Sequence, residues 1–184
     1  GGLGKVIEVH VTFGGSSIAG NHYFADGKLG EPISPPAGFD YNLWLNGAQE
    51  EQCRPQMVQR QWRSWWKYGG GQITDWVVHT TDVLFYALPE LQSPIQVCSR
   101  TPSRDLSNFH ADRVLSTLVY PVSGNKFASS TCNFYFYDGD MKPDRAQIGL
   151  GAGNWPGGIL TIVVCEGGTL VLAPGLYPCL GGGL

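Results

Sequence analysis

From Lys5 to Phe13 apolar and polar residues alternate, with Ile7, Val9, Val11 and Phe13 on one side and Glu8, His10 and Thr12 on the other. A period of two is what a half-buried strand requires, so this segment is predicted as one. Apolar runs recur after Gly71 at Ile73 to His79, Asp82 to Leu88, Ile95 to Ser99, Val114 to Tyr120, Cys132 to Tyr137, Ile159 to Cys165 and Thr169 to Ala173. Turn residues separate all of these runs except the first two, which meet at Thr80-Thr81. Asp138-Gly139 and Gly167-Gly168 read as hairpin turns, and Tyr41 to Leu45 is a short apolar run closed by Asn46-Gly47. The stretch from Gly14 to Pro36 is dense in turn residues and predicts a long surface loop. Nothing alternates with helices. The expected fold class is therefore all-β: a single antiparallel β-barrel or sandwich of about ten short strands with long loops and little helix. The domain is expected to span residues 1–184, with flexible ends at 1–4 and 180–184.

The segment from Ala48 to Tyr68 fits two patterns. Val58, Trp62, Trp65 and Trp66 follow a helical spacing with Pro55 near its start, while Arg60, Trp62 and Ser64 fit a strand. Tryptophan is a mediocre helix former, which favours the strand.

Composition narrows the class. The 26 glycines and 12 prolines accompany a hydrophobic fraction of 42%, so tight turns between strands explain them better than disorder does. Charged residues make up 15% and the net charge is −3, which argues against nucleic-acid binding. No apolar stretch approaches 18 residues, so no membrane-spanning helix is expected. Gly1-Gly2-Leu3-Gly4 reads as a domain boundary rather than a signal peptide. The five cysteines are widely spaced and odd in number, which disfavours a disulfide framework and a zinc site. Cys132 and Cys165 lie in apolar runs and read as small buried hydrophobes.

Candidate contact residues concentrate in one place. Trp62, Arg63, Trp65, Trp66, Lys67 and Tyr68 interleave indoles with cations ahead of Gly69-Gly70-Gly71. Each buried indole removes roughly 150–250 Å² from water, on the order of 4–6 kcal/mol as an upper bound, so the cluster is either core or contact surface. As a surface it suits sugar rings, carboxylates or a protein partner. Asp138 and Asp140 are expected at an exposed hairpin tip, since the third ligand and terminal glutamate of a calcium loop are missing. His110 with Asp105 or Asp112 is a poor acid–base candidate, because no catalytic motif accompanies it. Gly149 to Gly153 lacks the following lysine and helix of a phosphate loop. These residues point to no catalytic site, no metal and no cofactor.

A glycine- and aromatic-rich β domain without N-glycosylation sequons resembles the protruding spike domains of small non-enveloped RNA virus capsids, astrovirus-type. The likeness lies in Lys5-Val-Ile-Glu-Val-His-Val-Thr-Phe13 followed by Tyr41-Asn-Leu-Trp-Leu-Asn-Gly47, and in the size of the domain. The resemblance implies a homodimeric spike on the virion surface, assembled in the host cytoplasm. Its partners would be a host-cell receptor, protein or glycan, and antibodies, with no enzymatic activity, no nucleic acid and no membrane insertion. The alternative is a secreted carbohydrate-active β-sandwich, either a lectin-like module or a glycoside hydrolase.

Overall fold

The computed structural model describes residues 2–13, 30–55, 62, 65, 67–69, 71–101, 113–139, 141–155 and 159–172. In chain order these form β1 (Val6–Phe13), α1 (Tyr41–Leu45), α2 (Gly71–Ala87), β2 (Gln96–Arg100), β3 (Leu115–Pro121), β4 (Thr131–Tyr137), β5 (Ile159–Cys165) and β6 (Gly168–Leu172). The six strands make one sheet in the order β2-β3-β4-β1-β5-β6. β1 lies parallel to β4 and antiparallel to β5, and every other neighbouring pair is antiparallel.

The all-β barrel or sandwich is thus corrected to a mixed sheet with helices. Among the described residues there are six strands rather than about ten. The largest departure is at Ile73–His79 and Asp82–Leu88, which are one helix, α2, instead of two strands. Ile73, Val77, Leu84 and Leu88 recur at i, i+4, i+11 and i+15 and join the core with Val9, Val11, Phe13, Phe134 and Phe136. That face buries enough apolar surface to override the poor helix propensity of the many valines and threonines in the segment.

Two buried threonines brace this helix from within. Thr80 Oγ1 donates to the Trp76 and Val77 carbonyls, and Thr81 Oγ1 donates to the Val77 carbonyl. A third ties the helix to the sheet: Thr161 of β5, fully buried, donates its hydroxyl to the Thr80 carbonyl at 3.0 Å. Thr161→Val keeps the shape but removes this donor. We expect it to cost about 1–2 kcal/mol in denaturant unfolding, with Thr161→Ser recovering most of the loss. Equal stabilities of the valine and wild-type proteins would remove the hydroxyl from the account.

The same register explains the second face of the sheet. Val9, Val11 and Phe13 point to α2, so Glu8, His10 and Thr12 point away from it, beside Asn133, Tyr135 and Tyr137 of the parallel neighbour. On β5, Leu160 and Ile162 are covered by Ile148, Leu150 and Trp155 from the β4–β5 connection. Arg145 holds that connection together, donating to the Gly151 and Asn154 carbonyls and lying 5.0 Å from the Trp155 ring.

Two local turn signals do not close hairpins. Tyr41–Leu45 is a helical turn, because Asp40 caps it by accepting from the Leu43 N–H and Asn46 closes it in the left-handed region at φ 43°. Asp138-Gly139 is no hairpin tip: β4 and β5 are not neighbours, and Asp138 is 2% exposed, its N–H donating to the Val114 carbonyl. By contrast, β5 and β6 do pair across Glu166-Gly167. A side chain at Gly167 would come within 3.2 Å of the Leu3 carbonyl oxygen, which only glycine avoids.

Candidate active site

The aromatic cluster is partly core. Trp65 is 2% exposed and packs with Tyr41, Trp44 and Tyr68. Tyr41 and Trp44 stack at 5.7 Å, Tyr68 meets Trp44 edge-on at 6.0 Å, and Trp65 lies 6.1 Å from Tyr68. The local chain folds that way because two tight turns follow one another: Trp65 N–H donates to the Trp62 carbonyl, and Tyr68 and Gly69 N–H both donate to that of Trp65. Tyr41 and Tyr68 anchor their hydroxyls on the carbonyls of Glu51 and Gln49. Desolvation raises both phenols, Tyr41 to about 12, so both are neutral donors.

Beside this cluster opens a pocket of about 420 Å³ lined by Trp44, Leu45, Ala48, Trp62, Lys67 and Tyr68. The rings of Trp44, Trp62 and Tyr68 share its lining with polar atoms, and among the described residues its cation is Lys67, hydrogen-bonded to the Glu51 carboxylate, a contact that raises the lysine pKa. Flat aromatic walls with a cation at the rim suit a ligand that combines C–H faces with hydroxyl or carboxylate groups.

Tyr68 stands only a few residues before the first residue of α2, which brings a second set of groups into the same region of the chain. Asp75 and His79 are separated by four residues on α2, and neighbours at that spacing share one helix face about one turn apart. His79 is exposed and carries the edge of the Trp76 ring at 5.4 Å, whereas Asp75 is half-buried. Sequence reasoning missed this pair because it placed His79 on a strand, where residues 75 and 79 are not adjacent. The usable signal was the apolar set Ile73, Val77, Leu84 and Leu88, which fixes a helical period and turns Asp75 and His79 to a common side.

A second histidine is chemically organised but sequestered. His10 is 5% exposed, with Nδ1 3.0 Å from the Tyr137 hydroxyl and Nε2 3.0 Å from Glu8 Oε1. Its ring stacks on Tyr135 at 4.9 Å. Burial lowers the His10 pKa more than Glu8 raises it, so the ring is neutral and the Glu8 contact is a hydrogen bond rather than an ion pair. A carboxylate only accepts, which assigns the proton to Nε2 and leaves Nδ1 to accept from Tyr137, whose own pKa is pushed up to about 12.

The sign of the pH effect follows. With the native pKa below the ordinary 6.5, the unfolded chain takes up a proton first as acid is added. The His10 contribution is complete above about pH 6.5 and declines below it, toward the lowered native value. Melting curves taken downward from neutrality should show this acid slope in the wild type and a shallower one in His10→Gln. Parallel slopes would place the titration elsewhere.

The sequence-predicted contact residues scatter in the structure. Trp62, Lys67 and Tyr68 line the pocket, Trp65 is its buried support, and Asp138 is buried at the end of β4 far along the chain. Arg63, Trp66 and Asp140 lie outside the described residues, as do most of residues 56–66, whose helix-or-strand assignment stays with them. The four described cysteines are unpaired. Cys132 and Cys53 are buried, Cys165 is half-buried and Cys98 is exposed. Cys179, His110, Asp105 and Asp112 lie outside the described residues.

A family model described as the oxidoreductase family, C-terminal alpha/beta domain, matches residues 3–118, more than half of the chain. The chain belongs to that family. The matched stretch runs from β1 through α1, α2 and β2 into β3, and so contains the pocket, Asp75, His79 and His10. No curated protein matches the chain. Family membership overturns the viral-spike reading together with its virion-surface location and receptor-attachment role. It equally replaces the lectin-like or glycoside-hydrolase alternative and the expectation of no enzymatic activity. An α/β domain also agrees with the mixed sheet. The misleading likeness rested on Lys5–Phe13 and Tyr41–Gly47, a strand alternation common to many folds and a run that is helical.

Oxidoreductase chemistry requires an electron acceptor. The described residues of this oxidoreductase domain do not fit a dinucleotide. Among the described residues the glycine run at Gly149–Gly153 opens onto no helix, and its Gly151 carbonyl is taken by Arg145. Gly69 lies just before α2 and Gly71 opens it, but the described residues ahead of them, from Trp65 to Tyr68, form a tight turn instead of the strand that a dinucleotide-binding glycine loop follows. Among the described residues no group of three metal-ligating side chains converges either.

Proposed function

We infer that this domain supplies the substrate wall and the proton-transfer group of an oxidoreductase acting between an alcohol and a carbonyl. The observation that carries it is the exposed His79 with Asp75 one turn away, on the helix that starts three residues after Tyr68 of the aromatic pocket, inside the segment matched by the family. When an alcohol carbon is oxidised, its C–H leaves as hydride and its O–H must lose a proton. A neutral imidazole can take that proton and return it in the reverse direction. Asp75 favours the resulting imidazolium. The pocket holds the substrate body: Trp44, Trp62 and Tyr68 cover C–H faces and Lys67 meets hydroxyl or carboxylate groups. The hydride acceptor has no seat among the described residues and has to be presented from outside them.

The test is turnover. Full-length protein is assayed on a panel of polyols, aldoses and hydroxy acids with nicotinamide and flavin acceptors, and acceptor reduction with at least one polyhydroxylated or acidic member is expected. Activity confined to apolar substrates would contradict the pocket assignment.

A further inference from the structure

We propose that Glu51 is a specificity-determining residue of the aromatic pocket: by holding the Lys67 ammonium it keeps that cation from carboxylates, so that the site selects neutral polyhydroxylated rings over the corresponding acids. The inference rests on the reading of the pocket as the substrate wall and narrows its substrate class. Among the described residues Lys67 is the cation of the pocket, beside the rings of Trp44, Trp62 and Tyr68. Its Nζ donates to Glu51 Oε2, and the carboxylate is the less exposed partner, at 25% against 39% for the lysine side chain.

The fold itself places Glu51 there. Tyr41 Oη donates to the Glu51 carbonyl and Tyr68 Oη to that of Gln49, so two rings of the Trp65 cluster pin the segment that carries the carboxylate. Glu51 also lines a second cavity of about 300 Å³ together with Glu50, Tyr41 and Asn42, and the two cavities share Leu45. Its charge is felt at the wall of the first: the Tyr68 phenol is raised by burial and then by Glu51, against the opposing influence of Lys67.

An ionised carboxylate only accepts hydrogen bonds, so as a ligand it has a use for Lys67 and none for Glu51. To reach the ammonium it has to displace Glu51, and it then lies beside a carboxylate of its own sign, with Glu50 next in the chain. A hydroxyl both donates and accepts. Two neighbouring hydroxyls of a sugar ring take both ends of the pair, one accepting from Lys67 Nζ and the other donating to a Glu51 oxygen, while the aromatic planes cover the C–H face of the ring. A neutral ring thus leaves the ion pair in place, whereas an acid must break it. Discrimination of this kind comes from the repulsive group as much as from the attractive one.

Trp44 and Trp62 line the pocket, so binding reads out in the intrinsic fluorescence of the full-length protein without any turnover. Glucose, galactose and mannose are each titrated against their uronic acids, and the wild type should bind at least one of these sugars more tightly than its acid. Glu51→Gln keeps the side-chain shape and the backbone carbonyl that Tyr41 uses, but frees the ammonium. It should shift the ratio of the two Kd values toward the acid by about threefold or more. Adding Lys67→Met to that variant should abolish the shift. An unchanged ratio in Glu51→Gln overturns the proposal, as does a shift that survives Lys67→Met, a wild-type preference for the acids, or no binding of any pair. Binding with the expected ratios but without turnover sustains it and contradicts the catalytic reading.

Discussion

Replacing His79 with asparagine in the full-length protein is expected to lower kcat by about 10²- to 10⁴-fold, the range of general acid–base catalysis, while the melting temperature stays within a degree or two. Both halves follow from placement. His79 is exposed on α2, whereas the residues that hold the helix down are Leu84, Leu88 and the threonine braces. Asparagine keeps a polar group of similar reach but cannot exchange a proton near neutral pH. Asp75→Asn should reduce kcat less, because it removes only the charge that favours the imidazolium. A His79→Asn protein that turns over normally would move the proton-transfer role elsewhere. His10 is a poor substitute, being buried, with both ring nitrogens already hydrogen-bonded.

The second large effect is structural. Trp65→Ala is expected to cost about 3–5 kcal/mol in the unfolding of the aromatic cluster, through lost burial and the cavity left among Tyr41, Trp44 and Tyr68. Trp65→Phe should recover a large part of this, since a smaller ring still fills the centre. The pocket shares Trp44 and Tyr68 with that cluster, so the alanine protein should also lose substrate affinity. Its near-ultraviolet circular dichroism should fall even where the main sheet stays folded, because Trp65 supports a satellite cluster separate from the core that joins α2 to β1 and β4. An unchanged spectrum and stability would show that Trp65 is not the keystone of the cluster.

These two residues mark where sequence reasoning succeeded and where it failed. The strands were legible because Val9, Val11 and Phe13, and likewise Phe134 and Phe136, repeat with a period of two and are buried together. That Trp65 was either core or contact was also legible, since an indole is costly to leave wet. The helix was not. Ile73, Thr74, Val77, Val78, Thr80, Thr81 and Val83 are all β-branched, and their propensity pointed to strands. What decides for the helix is the burial of one side of it against β1, β4 and β5, a long-range fact that no local window contains. The candidate site vanished with the helix, because only a helix brings residues 75 and 79 together. Order in the sheet was equally hidden: β1 sits between β4 and β5, so Asp138 enters a buried connection where a hairpin tip was expected.

Chemical rescue tests the acid–base assignment most directly. In the full-length His79→Ala protein, free imidazole added to the assay should restore turnover in a concentration-dependent way, and should leave the wild-type rate unchanged. Turnover in His79→Ala equal to that of the wild type, or a folded and inactive His79→Ala protein that imidazole leaves inactive, would contradict it.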